Sequence, residues 1–402
     1  MRANVLIIGG GIVGLATAYR IVQRFPAKKV LVLEKESSVG QHQSGRNSGV
    51  MHSGIYYQPG SLRAAYCRDG NEALELFCRE QGIAHNVCGK VIVAVDSDEV
   101  PRLEHILERG QKNGVRCELI GPERLAELEP HAAGVCAIHV PDAGIVNYRT
   151  VCERFAQLVE AGGGQVVTGC KVVGLVLRAD GVVVQSSSEE HTADVIVNCS
   201  GLHSDRIAKM SGQHLSARIV PFRGEFYELE PAARHLCNNL IYPVPDPSFP
   251  FLGVHFTRLI EGGVECGPNA VLAFAREGYR KWEIDWRDLG ESLTYKGFQR
   301  LAARHWRTGL AEMWRSFNKA AFVRRLQRLV PEVRAEDLTP SRSGVRAQAL
   351  APDGELVHDF LIQESRRVVN VCNAPSPAAT SSLRIASLIV DKVATQLTTI
   401  GR

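Results

Sequence analysis

The chain has 402 residues, 45% hydrophobic and 22% charged, which allows two or three domain-sized units with a sizeable core. A net charge of +4 is too mild for a nucleic-acid surface, and no stretch approaches the ~18 uncharged apolar residues of a membrane span. The 11 cysteines are scattered singly without C-x-x-C spacing, which excludes zinc ribbons and thioredoxin-like chemistry. Their odd number, with no secretory h-region, predicts a reducing, cytoplasmic setting. The fold is expected to begin at about Ala3, without a cleavable organelle presequence. No metal site is expected.

Residues 4–8 form a short apolar run that reads as a buried parallel strand. Gly9, Gly11 and Gly14 follow in G-x-G-x-x-G spacing, and a helix is expected over 15–21. Gly9 permits a tight turn, Gly11 lets backbone approach a pyrophosphate, and Gly14 lets helix pack on strand. The helix N-terminus offers unpaired N–H groups to the phosphates. A second strand over 30–33 ends at Glu34, with Lys35 beside it. Glu34 can accept hydrogen bonds from a ribose diol and would repel a 2′-phosphate. By itself this turn fits NAD as well as FAD.

The loop 43–57 is rich in glycine and serine and ends in His52, Tyr56 and Tyr57. Its small residues suit close passage along a flat ring. Ser44, Arg46, Asn47, Ser48 and Gly49 are the expected cofactor contacts there. A hairpin over 171–177 and 182–186, turned at Asp180-Gly181, leads to another buried strand over 193–198 that ends at Gly201. Strand-like segments follow at 222–229, 251–257 and 264–267, with Pro and Gly between them. They predict an antiparallel sheet. Residues 282–334 read as helical. A last strand over 367–372 runs into a small-residue loop and a helix over 383–394. Pro375, Ala378, Ala379 and Thr380 are the expected cofactor contacts in that loop.

The expected architecture is α/β. A discontinuous Rossmann-like FAD-binding domain covers 1–85, 141–215 and 340–402. An α+β substrate domain on an antiparallel sheet covers 86–140 and 216–339. The chain returns to the cofactor sheet near 190 and again near 368, and those returns favour FAD.

Five segments together resemble the L-2-hydroxyglutarate dehydrogenase/oxidase family of the D-amino-acid-oxidase-like flavoproteins. They are residues 46–57, 251–257, 267–274, 343–348 (Ser-Gly-Val-Arg-Ala-Gln) and 373–382. They occur in family order along nearly the whole chain. The departures are Arg384, where a small residue is expected, and Cys199 and Ser200 in place of alanines. The resemblance implies FAD, oxidation of a small dicarboxylate, L-2-hydroxyglutarate, to 2-oxoglutarate, and electron delivery to membrane quinone or to oxygen.

That chemistry needs a base and carboxylate anchors. His52 and Tyr57 become site residues because the similar stretch in glycerol-3-phosphate dehydrogenase relatives faces the substrate. His255 lies mid-strand; alternation puts it with Gly253 and Thr257, on either a pocket roof or a solvated sheet face. Either histidine can serve as the base. By the resemblance, Arg346 grips the α-carboxylate with a bidentate fork. Tyr242 can add a hydroxyl. Arg223 is a weaker candidate for the distal carboxylate, because Glu225 can pair with it. The alternatives are an amine or amino-acid oxidase of the same fold and a non-catalytic flavin-binding protein.

From Lys296 to Arg334 there are ten basic residues, Arg315 among them, against Glu312 and Glu332, a local charge of 10 − 2 = +8. Aromatic residues interleave, including Trp306, Trp314 and Phe317. Such a segment suits either peripheral contact with an anionic membrane, on the cytoplasmic face of the inner membrane, or a solvated helix face.

Overall fold

A computed structural model describes residues 1–246 and 253–400. Two sheets carry the fold. In the first, eight-stranded sheet, Arg2–Ile8 lies parallel to Val30–Leu33 on one side and to Glu190–Asn198 on the other. Every residue of Val30–Leu33 is buried, as an apolar run without alternation requires in a parallel sheet covered by helices. The helices Ile12–Arg24, Tyr148–Ala161 and Ser382–Ile400 contribute Leu15, Ile21, Phe155, Ile385 and Ile389 to one core with Val5 and Ile7. The hairpin forms as expected, from Val172–Leu177 and Val182–Ser186. Val368–Asn373 pairs in parallel with Glu190–Asn198, so the chain returns twice to this sheet.

The second sheet has nine strands and is largely antiparallel. It contains Arg218–Leu229, Leu240–Pro243, His255–Arg258 and Val264–Gly267. The strand expected over 251–257 begins at His255; residues 251 and 252 lie outside the described residues. Lys90–Ala94 joins as a parallel neighbour of Leu240–Pro243.

One boundary differs from the sequence expectation. Leu338–Leu350, grouped with the cofactor domain from 340 on, pairs antiparallel with Arg218–Leu229 from end to end in the second sheet. The return to the first sheet comes at Leu361–Ser365. Where this long strand passes the cofactor loop, a Cβ on Gly344 would sit 2.2 Å from the Arg46 carbonyl oxygen. Glycine is therefore required there for the two segments to touch.

Helices Trp286–Leu293, Lys296–Phe317 and Lys319–Leu326 occupy the region expected to be helical, with a break at His305. The side chains of Arg315 and Phe317 lie outside the described ones. Among the described residues, no helix is long and apolar enough to cross a membrane.

Candidate active site

A cleft of about 1930 Å³ runs from the first glycine turn to the second sheet. Gly9 has φ +111, and a Cβ there would sit 2.5 Å from the Cys199 carbonyl oxygen. Only glycine tolerates both conditions. A Cβ on Gly14 would lie 2.1 Å from the Gly9 carbonyl oxygen, so Gly14 acts by packing and does not line the cleft. Gly9 and Gly11 do line it. Gly11 caps the helix without a side-chain acceptor, and Ser44 Oγ accepts the Ile12 N–H at 2.9 Å. Glu34 accepts the Gly10 N–H at 2.6 Å and the Glu36 N–H at 2.9 Å. Its carboxylate is thereby aimed at the cleft with lone pairs left for diol hydroxyls. A cradle that a Cβ would fill, a helix start capped by glycine and an oriented acid together fit the diphosphate and ribose of FAD.

The other expected cofactor residues divide by role. Ser48, Gly201, Pro375, Ala378 and Ala379 line the cleft. Thr380 lines it too, and its Oγ1 accepts the His52 N–H at 3.1 Å and pairs with the Tyr148 hydroxyl at 2.9 Å. Asn47 also reaches the cleft, while its Nδ2 donates to the carbonyls of Gln43 and Ser44 and so holds the loop's own turn. Arg46 lies 3.9 Å from the Tyr279 ring centroid and anchors the loop against the segment between Val271–Leu272 and Trp286–Leu293. Gly49 has φ +72 and sits against the Val146 carbonyl, outside this cleft.

Lys35 borders the cleft, but its ammonium is engaged by Glu36 and, at 2.7 Å, by Glu277. Glu36, His42 and Glu277 have ligand atoms within 4.8 Å of one another. Lys35 already bonds both carboxylates, so this cluster holds its own cation. Arg384, the departure in the C-terminal helix, pairs with Asp69 at 3.2 Å on the surface, away from the cleft.

At the far end, His52, Tyr57, Tyr242, His255 and Arg346 all line the same cleft. His255 and Thr257 are buried, which removes the solvated-face alternative for that strand. The His255 ring stacks on Tyr242, with centroids 4.0 Å apart and planes at 23°. Its Nδ1 lies 2.9 Å from the Gly253 carbonyl oxygen. A carbonyl only accepts, so Nδ1 carries the proton and Nε2 keeps its lone pair. Burial, then the charges of Arg346 and Lys90, push His255 down to about 4 against the pull of the Gly253 bond. His52 is pushed down to about 3, first by burial and then by Lys90, His255 and Arg63. Its Nε2 lies 3.4 Å from Ser376 Oγ. Both imidazoles are therefore neutral at physiological pH.

Arg346 is opposite Phe222 in the strand pair, and its guanidinium lies over Gly224. A Cβ on Gly224 would be 3.1 Å from Nη1, so the glycine makes room for the fork. Nη1 donates to the Asn269 carbonyl at 3.2 Å. Burial lowers Arg346 to about 10, which leaves it cationic. Arg63 sits 4.5 Å from the Tyr57 ring centroid.

Arg223 is corrected. Its register partner is Val345, so it projects to the sheet face opposite Phe222 and Arg346. There it pairs with Glu225 at 3.0 Å and donates to the Arg280 carbonyl, and it does not line the cleft. Arg63 and Ser376 also line the cleft and Lys90 lies behind its wall, and none of the three was singled out from the sequence as a site residue. A lysine opening the apolar stretch Lys90–Ala94 reads as a strand end facing water, and no local signal shows that it is buried.

The sequence matches the FAD dependent oxidoreductase (DAO) family over residues 4–392. It is 48% identical to the L-2-hydroxyglutarate dehydrogenase of Indibacter alkaliphilus, over 97% of this chain and 98% of that protein. It is 45% identical to the Escherichia coli protein of the same name, over 98% of this chain and 93% of that one. The fold superposes on FAD-bound L-alpha-glycerophosphate oxidase from Mycoplasma pneumoniae with a TM-score of 0.80 at 20% identity, covering 99% and 94% of the two chains. FAD is the cofactor common to this fold and family. The chain belongs to the FAD dependent oxidoreductases and, within them, to the L-2-hydroxyglutarate dehydrogenase family.

Proposed function

We propose that this protein oxidises L-2-hydroxyglutarate to 2-oxoglutarate, with His255 as the base and Arg346 as the carboxylate clamp. The observation that carries this reading is one cleft holding the FAD-fitting turn, two neutral imidazoles and a cationic guanidinium. When bound, FAD supplies the two-electron acceptor for the hydride that leaves Cα. The protein's residues do the rest. The Arg346 fork matches a carboxylate and fixes Cα. His255 Nε2 takes the hydroxyl proton, and Tyr242 holds that ring by stacking. Arg63 fixes Tyr57 at the wall.

An amino-acid oxidase has the same fold, but its substrate arrives with an ammonium group. Arg346, Lys90 and Arg63 repel that group, whereas they attract a dianion. Anaerobic addition of L-2-hydroxyglutarate should bleach the flavin absorbance within the turnover time. Bleaching by glycine, sarcosine or a D-amino acid instead would favour the oxidase reading. Bleaching by none of them would favour a non-catalytic flavoprotein.

The proposal extends to electron delivery to quinone at an anionic membrane surface. Its support is tryptophan more than charge. The chain has 4 tryptophans, and Trp282, Trp286, Trp306 and Trp314 are 78%, 77%, 56% and 58% exposed. Indole rings favour the membrane interface over water. The basic side chains are less available, because Arg304, Arg325, Arg328 and Arg334 pair with Glu355, Glu312, Glu99 and Glu336. Cosedimentation with anionic vesicles is therefore expected to survive moderate salt. No cosedimentation even at low salt would refute membrane contact.

A further inference from the structure

Lys90 opens the strand Lys90–Ala94 and is 2% exposed. Among the described residues its ammonium has no carboxylate partner and no hydrogen-bond acceptor. Its neighbours are two ring faces, Tyr56 at 4.6 Å and Tyr242 at 5.0 Å from the centroids. An enclosed cation without a counter-charge is among the costliest groups a fold can keep, and aromatic faces offset only part of that cost. Burial lowers Lys90 to about 8, so it stays charged in most molecules at neutral pH.

Tyr56 and Tyr242 line the cleft, and Lys90 does not. The lysine therefore acts through this wall and does not touch the substrate. The wall is where His255 is stacked. The charges of Lys90 and Arg63, and the His255 ring, act on His52 across this end of the cleft, and the Cys67 thiol donates to its carbonyl. His255 faces Tyr242, Arg346 and Lys90.

We propose that Lys90 is a positioning residue whose uncompensated charge, behind the Tyr56–Tyr242 wall, adds to burial and keeps His52 and His255 able to accept the substrate proton down to a lower pH than burial alone would allow. This rests on the reading of the cleft as a proton-abstracting site.

Lys90→Met keeps the aliphatic stem and removes the charge. In the FAD-loaded protein, the titration midpoints of both histidines are followed by NMR of 13C-labelled histidine, assigned with His52→Asn and His255→Asn. Removing a nearby cation makes protonation easier, so both midpoints should rise by on the order of one pH unit. The acidic limb of the flavin-reduction rate should move up in the same direction. Lys90→Arg should restore both. Thermal stability should hold or rise, because an unpaired buried charge is lost. Unchanged midpoints, with or without a fall in melting temperature, would overturn the proposal. So would failure of arginine to restore them. Lys90→Leu and Lys90→Gln repeat the test should the methionine variant not fold. The NMR midpoints need no substrate, so an error in the proposed substrate would appear separately, as absence of flavin reduction in the wild-type protein.

Discussion

Replacing Arg346 by alanine should lower kcat/KM for L-2-hydroxyglutarate by roughly thirty- to several-thousand-fold, the equivalent of the ~2–5 kcal/mol lost when one member of a buried, hydrogen-bonded charge pair is removed. The half-buried guanidinium lies over Gly224 and remains cationic despite a pKa lowered to about 10. A carboxylate bound there would pair with a guanidinium already partly shielded from water. Lysine should recover only part of the loss, since it keeps the charge and not the planar fork. FAD content and melting temperature should stay near wild type, because the first sheet and its glycine turn are untouched. The measurement is stopped-flow flavin reduction across substrate concentrations. An alanine variant with normal kcat/KM would show that the clamp lies elsewhere.

His255→Asn should slow flavin reduction by about 10²–10⁴-fold, the usual contribution of a positioned general base. Asparagine can still donate to the Gly253 carbonyl, so the strand geometry should persist while the basic nitrogen is lost. His52→Asn should cost less, since among the described residues a long contact to Ser376 is what orients the His52 ring. A larger loss at His52 than at His255 would exchange the two roles. The pH dependence follows from the direction of the shifts. With His255 pushed down to about 4, the base is already free well below neutrality. The wild-type rate of reduction should therefore be level from pH 6 to 8 and fall only as the pH drops toward about 4. An acidic limb near the ordinary imidazole value of about 6.5 would mean that substrate binding, or a different group, controls the base.

The legible parts of this protein are those decided within a few residues of backbone. Gly9 and Gly14 could be read because a positive φ and a carbonyl 2.1 Å from a Cβ position admit no other side chain. Glu34 could be read because strand, turn and helix lengths fix its distance from them. The strand Val30–Leu33 and the hairpin Val172–Leu177 with Val182–Ser186 follow from apolar runs and turn residues alone. His52, His255, Tyr57 and Arg346 were singled out through family motifs and Tyr242 as an added hydroxyl beside them, and all five line one cleft.

Other features were set only by strand pairing between distant segments. Arg223 and Arg346 both look like carboxylate anchors in sequence. Register with Leu338–Leu350 sends them to opposite faces, because a strand alternates sides at every residue. Leu338–Leu350 left the cofactor domain for the same reason: its hydrogen-bond partner is Arg218–Leu229, more than a hundred residues away. Lys90 became a buried cation only when Leu240–Pro243 aligned beside it and brought Tyr242 over its ammonium. The sequence by itself determined the dinucleotide turn, because local sterics act on adjacent residues. The tertiary structure decided which charges face the substrate, because burial and facing depend on the whole sheet.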